Sequence, residues 1–131
     1  MFRTLWSIPK FEKDGLPKRD PINWFNWGVM SKNAVGNDMT GLLSNVKEFW
    51  VSRDSDKLSV LFFGASANAM PLGTIVVYLE DVRGVNVKTF TTLTFENCYI
   101  ESVRPGTDDT GKGAVEAINV SFGSAKTEYK K

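Results

Sequence analysis

The stretch that decides the fold is Asp54–Asn68, DSDKLSVLFFGASAN, because it is the one segment whose apolar residues recur at helical spacing. One stripe of the helix collects the residues at i, i+3, i+4 and i+7, namely Leu58, Leu61, Phe62 and Ala65. Every other segment that looks ordered alternates with a period of two, so this stripe must pack against a sheet. The stretch therefore predicts a helix that plugs or flanks a β structure.

The limits of this helix follow from its flanking residues, which predict one short α-helix at about 55–67. Ser55 is the expected N-cap, because its hydroxyl can accept a hydrogen bond from a free N–H of the first turn. Asn68, or the Met70-Pro71 pair after it, is expected to end the helix.

Length and composition predict a single domain spanning residues 1–131. A chain of 131 residues buries about two-thirds of its unfolded surface in one core. Hydrophobic residues make up 42% and charged residues 24%, values typical of a globular protein. No run of 18 apolar residues and no signal-peptide pattern are present, so we expect cytoplasmic synthesis and no stable membrane insertion.

The charge balance argues against polyanionic partners. Sixteen Lys and Arg against fifteen Asp and Glu leave a net charge of +1, so no nucleic acid partner is expected. Residues 1–53 carry eight basic and five acidic groups, whereas the remainder carries eight and ten. Halves of opposite sign can serve unlike surfaces that meet head to tail, although scatter of this size is common.

The strands are predicted from alternation and from β-branched and aromatic content. In chain order they are Phe2–Phe11, Ile22–Met30, Asn45–Arg53, Gly73–Val82, Val87–Glu96, Asn97–Arg104 and Ala114–Tyr129. Pro9 favours an edge position for the first strand. Gly73–Val82 and Val87–Glu96 are expected to form an antiparallel hairpin around Gly84. Strands in this number with one helix predict an all-β barrel or sandwich.

The aromatic residues are interpreted mainly as core. Ile22–Met30 carries Trp24 on one face and Phe25 and Trp27 on the other, so both faces are expected to be covered. Exposed aromatic rings could instead stack on nucleobases or sugars. No basic stripe lies beside them in the sequence, which favours the core.

The loop Ser31–Ser44, SKNAVGNDMTGLLS, has no convincing period. It nevertheless contains four large apolar residues, Val35, Met39, Leu42 and Leu43. A long loop would expose them on an isolated chain, which indicates contact with another molecule. Folding back onto the chain's own core explains the pattern equally well.

The sequence offers no catalytic, cofactor or metal site. It has no histidine, which removes the commonest general base and the usual transition-metal ligands. The single Cys98 excludes an intramolecular disulfide and is expected to be a small buried hydrophobe. The carboxylate pair Glu80-Asp81 would point to opposite faces of a strand, and Asp108-Asp109 lies in a turn. We therefore expect no enzyme.

One apparent motif needs separate treatment. Gly106–Lys112 has the G-x-x-x-x-G-K spacing of a phosphate-binding loop. Gly113 stands where a Ser or Thr would hold magnesium, two aspartates would repel the phosphates, and a strand follows where a helix should begin. A hairpin turn is the favoured interpretation.

Four stretches, in this order and spacing, carry a family resemblance. They are INWFNWGV (22–29), VKEFWVSRDSDKLSVLFFGASANAMPLGTIVVYL (46–79), TFTTLTFENCYIESVRPG (89–106) and AVEAINVSFGSAKTEY (114–129). Together they resemble the Hcp family, the tube-forming protein of bacterial type VI secretion systems, which is related to phage tail-tube proteins. The chain departs from the family pattern in its shorter loop at 31–44 and in Glu128, where an aromatic residue often stands.

The resemblance implies an antiparallel two-sheet β-barrel with a structural role and no cofactor. It implies homo-hexameric rings that stack head to tail into a tube, which carries effectors and is secreted without a signal peptide. Sheath, baseplate or spike proteins would be further partners, and Val35, Met39, Leu42 and Leu43 would form the ring-stacking loop. Two alternatives remain, a tail-tube protein of a phage or other contractile injection particle and a monomeric β-barrel that binds a small apolar or sugar ligand.

Overall fold

The computed structural model describes residues 2–27, 47–83 and 88–129, and the fold is given for those residues. The elements in chain order are β1 (Phe2–Ser7), α1 (Pro9–Glu12), β2 (Asp20–Ile22), β3 (Trp24–Asn26), β4 (Glu48–Asp54), α2 (Ser59–Ala67), β5 (Gly73–Asp81), β6 (Lys88–Thr107), β7 (Ala114–Ser121) and β8 (Ser124–Tyr129).

The strands form two antiparallel sheets that share β6. The first sheet has the order β2-β1-β5-β6-β8, and the second has the order β3-β4-β7-β6. β6 is 20 residues long, and it changes sheet near Asn97, whose φ of 57° bends the strand. The prediction of an all-β, antiparallel two-sheet fold is confirmed, although no ladder among the described strands closes the barrel.

Aromatic side chains fill the interior in two clusters. At one end, Phe62 of α2 stacks on Trp6 at 5.6 Å between ring centroids and meets the edge of Phe11 at 5.4 Å. The second cluster has centroid separations of 4.4–6.1 Å and consists of Phe25, Trp27, Phe49, Phe95 and Phe122. A barrel packed in this way leaves its interior to side chains, which argues against the alternative of an internal ligand site.

The predicted helix exists, but it begins at Ser59, four residues later than proposed. The N-cap position is occupied by Leu58, which has no capping side chain. Asp56 closes the turn before the helix: its carboxylate accepts a hydrogen bond from the Leu58 N–H at 2.9 Å, and its own N–H donates to Ser59 Oγ at 3.0 Å. Ser55, the expected N-cap, instead donates its hydroxyl to the Glu116 carboxylate of β7 at 3.1 Å. The end at Asn68 is confirmed, with Asn68 Nδ2 donating to the Gly64 carbonyl at 2.9 Å.

The predicted stripe of this helix faces the core in part. Phe62 and Ala65 are fully buried, whereas Leu58 and Leu61 are only half-buried. A second helix, the four-residue α1, was not predicted at all.

The two predicted N-terminal strands, Phe2–Phe11 and Ile22–Met30, both differ from the structure. The first strand ends at Ser7, because Pro9 opens α1, where a proline without an N–H is well tolerated. β1 also lies between β2 and β5, so the edge position was wrong. The predicted strand Ile22–Met30 breaks at Asn23, where the chain passes from the first sheet to the second. Trp24 is 46% exposed, so the prediction of two covered faces fails there.

The predicted strand Ala114–Tyr129 consists of two separate strands, β7 and β8. Phe122 donates its N–H to the Lys47 carbonyl at 3.0 Å, and Gly123 donates to the Glu96 carbonyl at 2.8 Å. These bonds mark the point where the chain leaves the second sheet and joins the first, alongside the bend in β6. The hairpin of β5 and β6 is confirmed; its turn at 84–87 lies outside the described residues.

A buried arginine connects the two sheets. Arg53 of β4 is 2% exposed, and its guanidinium donates to Asp20 at 3.2 Å, to Glu116 at 3.2 Å and to Asp56 at 3.1 Å. Asp20 belongs to the first sheet, Glu116 to the second, and Asp56 precedes α2. One cation therefore connects two strands that are distant in sequence, β2 and β7, with the turn that precedes α2.

The surroundings of Arg53 keep it charged. Burial alone lowers its pKa, but the hydrogen bond and charge of Asp20, followed by the bonds to Asp56 and Glu116, outweigh burial and raise the pKa above its ordinary value. Trp6 Nε1 donates to Asp20 at 2.9 Å, and the guanidinium lies 4.8 Å over the Phe62 ring. The ion network is thus continuous with the aromatic cluster.

Replacing Arg53 with methionine should lower the free energy of unfolding by about 3–5 kcal/mol, because Asp20 and Glu116 would remain buried without a cation. Chemical denaturation measures the change. Arg83→Met is the matched control, since Arg83 is exposed and pairs with Asp81 at the surface, and it should unfold like the wild type. Equal midpoints for the two variants would contradict the role given to Arg53.

Candidate functional site

The four predicted stacking residues cannot be placed. Val35, Met39, Leu42 and Leu43 lie outside the described residues, so their role stays a prediction. The described part of the chain carries several other surfaces and side-chain clusters that bear on function.

In the turn at Gly106–Lys112, backbone N–H groups bind the carboxylate of Asp108, whereas those of a phosphate-binding loop would bind an anion. Asp108 accepts hydrogen bonds from the Thr110 hydroxyl at 2.6 Å, the Thr110 N–H at 3.0 Å and the Lys112 N–H at 3.3 Å. The Thr110 hydroxyl bond is the main reason that the pKa of Asp108 is lowered. A Cβ at Gly113 would stand 2.4 Å from the Asp108 carboxylate, so a larger residue there would displace that side chain. The turn joins β6 to β7, as a hairpin turn was predicted to do.

The remaining chemical candidates are engaged in structure. Cys98 is fully buried, and burial raises the pKa of its thiol to about 12, which makes it inert. In residues 2–27, 47–83 and 88–129, no group of three or more Cys, Asp or Glu could hold a metal ion. None of the helices in this part of the chain has the length and apolarity needed to cross a bilayer.

The carboxylates of Glu80 and Asp81 point to different arginines. Glu80 is buried and accepts hydrogen bonds from Arg3 Nε at 2.8 Å and from Arg19. Burial acts to raise the pKa of Glu80, but the bonds from Arg3 and Arg19 outweigh burial and lower it. The bidentate contact with Arg83 lowers the pKa of Asp81 to about 2. Glu80 is held as an ion in a buried position and Asp81 in a surface pair, so the two carboxylates are not matched for acid-base catalysis.

The outer face of the second sheet carries an exposed tryptophan, Trp24. Trp24 of β3, Ser52 of β4, Ala117 of β7 and Arg104 of β6 lie opposite one another across the sheet and share this face. Among the described strands β3 pairs only with β4, so Trp24 lies at an edge of the sheet, beside a cleft of about 420 Å³ that Arg104 also lines. Trp and Arg are the residues most often responsible for affinity at protein interfaces.

The acidic turn borders the same cleft. Asp108 and Asp109 line it together with Trp24, and Asp54 follows Ser52 on β4. All three aspartates are exposed, and none of them has an ion pair within the described residues. We call this region, Trp24 with Asp54, Asp108 and Asp109, the β3 edge.

The outward side of α2 is a second exposed apolar surface. None of its nine residues is charged, yet Val60 is 69% exposed and Phe63 is 42% exposed. A surface helix normally has a polar outer face, and one that is apolar all round is normally covered. The absence of charge in SVLFFGASA is a signal that the sequence offered and that our interpretation of the stripe did not use.

A groove of about 300 Å³ lies between α1 and α2. Phe11 and Ala65 form its buried floor, and Val60 and Gly64 form its wall on α2. Lys10, Lys13 and Asp14 are the charged residues that line the groove. We call this feature the helix groove.

The last strand, β8, is exposed on both faces as far as the described residues show. It pairs only with β6 among the described strands, and five of its six residues are exposed. Tyr129 is 77% exposed, and Lys126 pairs with Glu128 at 3.2 Å. A strand with an open edge and two open faces is an association hazard unless another chain covers it.

Comparison with known proteins identifies the fold. A family model described as "Type VI secretion system effector, Hcp" matches residues 12–129. Among solved structures, Hcp1 from Salmonella typhimurium is 16% identical with a TM-score of 0.76, covering 99% of this chain and 86% of its own. The secreted protein Hcp3 from Pseudomonas aeruginosa is 12% identical with a TM-score of 0.70, covering 100% and 99%. No curated protein sequence matches the chain.

The acid stability of the protein should depend on Glu80. Its folded-state pKa is lowered, so the stability it contributes is present above its ordinary value of 4.5 and is lost as the pH falls through the lowered value. Glu80→Gln should therefore flatten the loss of unfolding free energy between neutral and acid pH, measured by urea denaturation. Glu96→Gln, an exposed carboxylate bonded to the Thr74 hydroxyl, is the control. Parallel pH profiles for Glu80→Gln and the wild type would exclude the Glu80 cluster as the cause.

Proposed function

The chain belongs to the Hcp family, the tube proteins of type VI secretion systems, and from that premise we propose that it forms hexameric rings that stack head to tail into a tube. The match over residues 12–129 is the observation that carries the proposal. Family membership confirms the resemblance predicted from the sequence. It also confirms that the chain is a structural protein rather than an enzyme, and it favours a secretion system over a phage particle.

Open strand edges support self-assembly. β2, β3 and β8 each have one partner among the described strands, so each presents unpaired backbone N–H and C=O groups. A neighbouring subunit can complete such edges by hydrogen bonding, which removes the hazard they present on an isolated chain. The filled interior supports the same conclusion, because it directs any function to the outer surfaces.

Unlike surfaces support the head-to-tail arrangement. The helix α2 and the strand β3 present surfaces of different composition, since α2 carries no charge and the β3 edge carries three exposed aspartates. A contact between unlike patches, repeated by rotation, closes into a ring, and a second such contact repeated along an axis builds a filament.

The stacking contact is assigned to the loop that the sequence singled out. Val35, Met39, Leu42 and Leu43 would bind the next ring, and the stacked rings would enclose effector cargo. Sheath, baseplate and spike proteins would act on the outside and the ends of the tube. The subunit would leave the cell as part of the expelled tube.

Size-exclusion chromatography with light scattering, followed by negative-stain microscopy, tests the ring. We expect the mass of a hexamer of the 14.6 kDa chain and annular particles that lengthen at high concentration. A monomer at every concentration, with no annular particle, would contradict the proposal.

Leu42→Asp and Leu43→Asp test the stacking loop. Either change should prevent tube growth, because a carboxylate would be buried in the ring-ring contact, while rings and the thermal transition persist. Ser44→Asp adds the same charge at a neighbouring loop position and should leave tubes intact. Global unfolding by Leu42→Asp or Leu43→Asp would instead place these residues in the subunit's own core, and unaltered tubes would remove them from stacking.

A further inference from the structure

We propose that the helix groove of one subunit receives Trp24 at the β3 edge of the next subunit around the ring. This inference rests on the proposed ring and names the contact that closes it. Each surface has an exposed feature for which the described residues supply no partner, and the two features complement each other.

The position of the two surfaces in the fold permits this contact. β3 is the first strand of the second sheet and β6 the last. α2 lies against β6, where Ser66 Oγ donates to the Glu101 carbonyl at 3.2 Å. The groove is formed by α1 and α2, whereas Trp24 belongs to β3, so a contact between them joins unlike surfaces of two subunits and is heterologous.

Gly64 is a glycine that the subunit itself does not require. It lies inside α2 with ordinary helical geometry, and a Cβ built there meets nothing within 4 Å. A glycine in a helix interior costs about 1 kcal/mol relative to alanine. A bulky side chain from a neighbour that enters the groove explains the cost, because only glycine leaves the wall of the groove open.

Both the helix groove and the β3 edge expose large apolar side chains. The indole of Trp24 is 46% exposed at the sheet edge, and Val60 beside the groove is 69% exposed. The groove of about 300 Å³ has an apolar floor of Phe11 and Ala65, which suits a large aromatic side chain. Burying Trp24 there removes apolar surface of both subunits from water.

The charges around the two surfaces have opposite signs. The helix groove is lined by Lys10 and Lys13 against the single Asp14. Neither lysine has an ion pair within the described residues. The cleft beside Trp24 is lined by Asp108 and Asp109 against the single Arg104. Complementary rims of this kind orient two proteins and speed their encounter.

Disulfide trapping between single-cysteine variants tests the contact. Val60→Cys marks the groove, and Asn26→Cys marks the exposed face of β3 two residues from Trp24. Mild oxidation of the mixed variants should yield a covalent dimer that neither variant yields alone. The native Cys98 does not compete, because it is buried and protonated. Lys126→Cys on β8, mixed with Val60→Cys, is the control and should remain monomeric on a denaturing gel.

Filling the groove tests the same contact by affinity. Gly64→Leu should raise the concentration needed for ring formation about tenfold or more, because the new side chain occupies the place of Trp24. Ala67→Leu adds a similar side chain to an exposed position of α2 that does not line the groove, and it should assemble like the wild type. Thermal melting checks that both variants stay folded.

The outcomes separate this contact from the ring itself. Wild-type rings with the specific cross-link and weakened assembly of Gly64→Leu support the contact. The contact is overturned, while the ring stands, if wild-type rings form but the specific cross-link is missing or Lys126→Cys is trapped instead. Normal assembly of Gly64→Leu also overturns the contact. A wild-type protein that forms no rings overturns both.

Discussion

The fold depends on one buried cation. Arg53 lies directly opposite Glu116 in the register of β4 and β7, and it reaches Asp20 in the other sheet. Because side chains alternate along a strand, a slip of one residue between β4 and β7 would put this charge on the solvent face and leave the acids unpaired. The network therefore specifies the register of the second sheet and its distance from the first. Its contribution is specificity as much as stability, since buried ions are costly unless every partner is in place.

Side chains fill the interior between the two sheets that Arg53 connects. Phe62 brings α2 onto Trp6 and Phe11 beneath the guanidinium, and the second aromatic cluster occupies the rest of the core. Three of the groups considered for chemistry have structural roles: Glu80 accepts hydrogen bonds from two arginines, Asp108 accepts them from its own turn, and Cys98 is buried. The features without such a role among the described residues lie at the surface: open strand edges, an uncharged helix face, unpaired lysines and aspartates, and an indole at the edge of a sheet. For an Hcp family member this distribution suits a subunit that acts through contacts with copies of itself.

Much of the architecture could be predicted because local periodicity of the apolar residues indicates it. The helix with Phe62 and Ala65 facing inward, its end at Asn68 and the hairpin of β5 and β6 all follow from spacing within one segment. Periodicity does not say which strands are neighbours, so the sheet changes at Asn23 and Gly123 went unseen. For the same reason Trp24 was assigned to a covered face, since the pattern separates two faces without telling which one meets solvent. Arg53 gave no local signal at all, because its partners Asp20 and Glu116 are distant in the chain. The residues expected to stack rings lie outside the described ranges, so that part of the site rests on the sequence alone.

The proposed assembly places the function on the outer surfaces of a subunit whose interior is filled. Amide hydrogen exchange, compared between dilute and concentrated protein, tests this assignment most directly. Backbone amides of β3 and β8 should exchange rapidly in the dilute protein and become protected on assembly, while β6 is equally protected in both. Identical exchange of β3 and β8 at the two concentrations would contradict it.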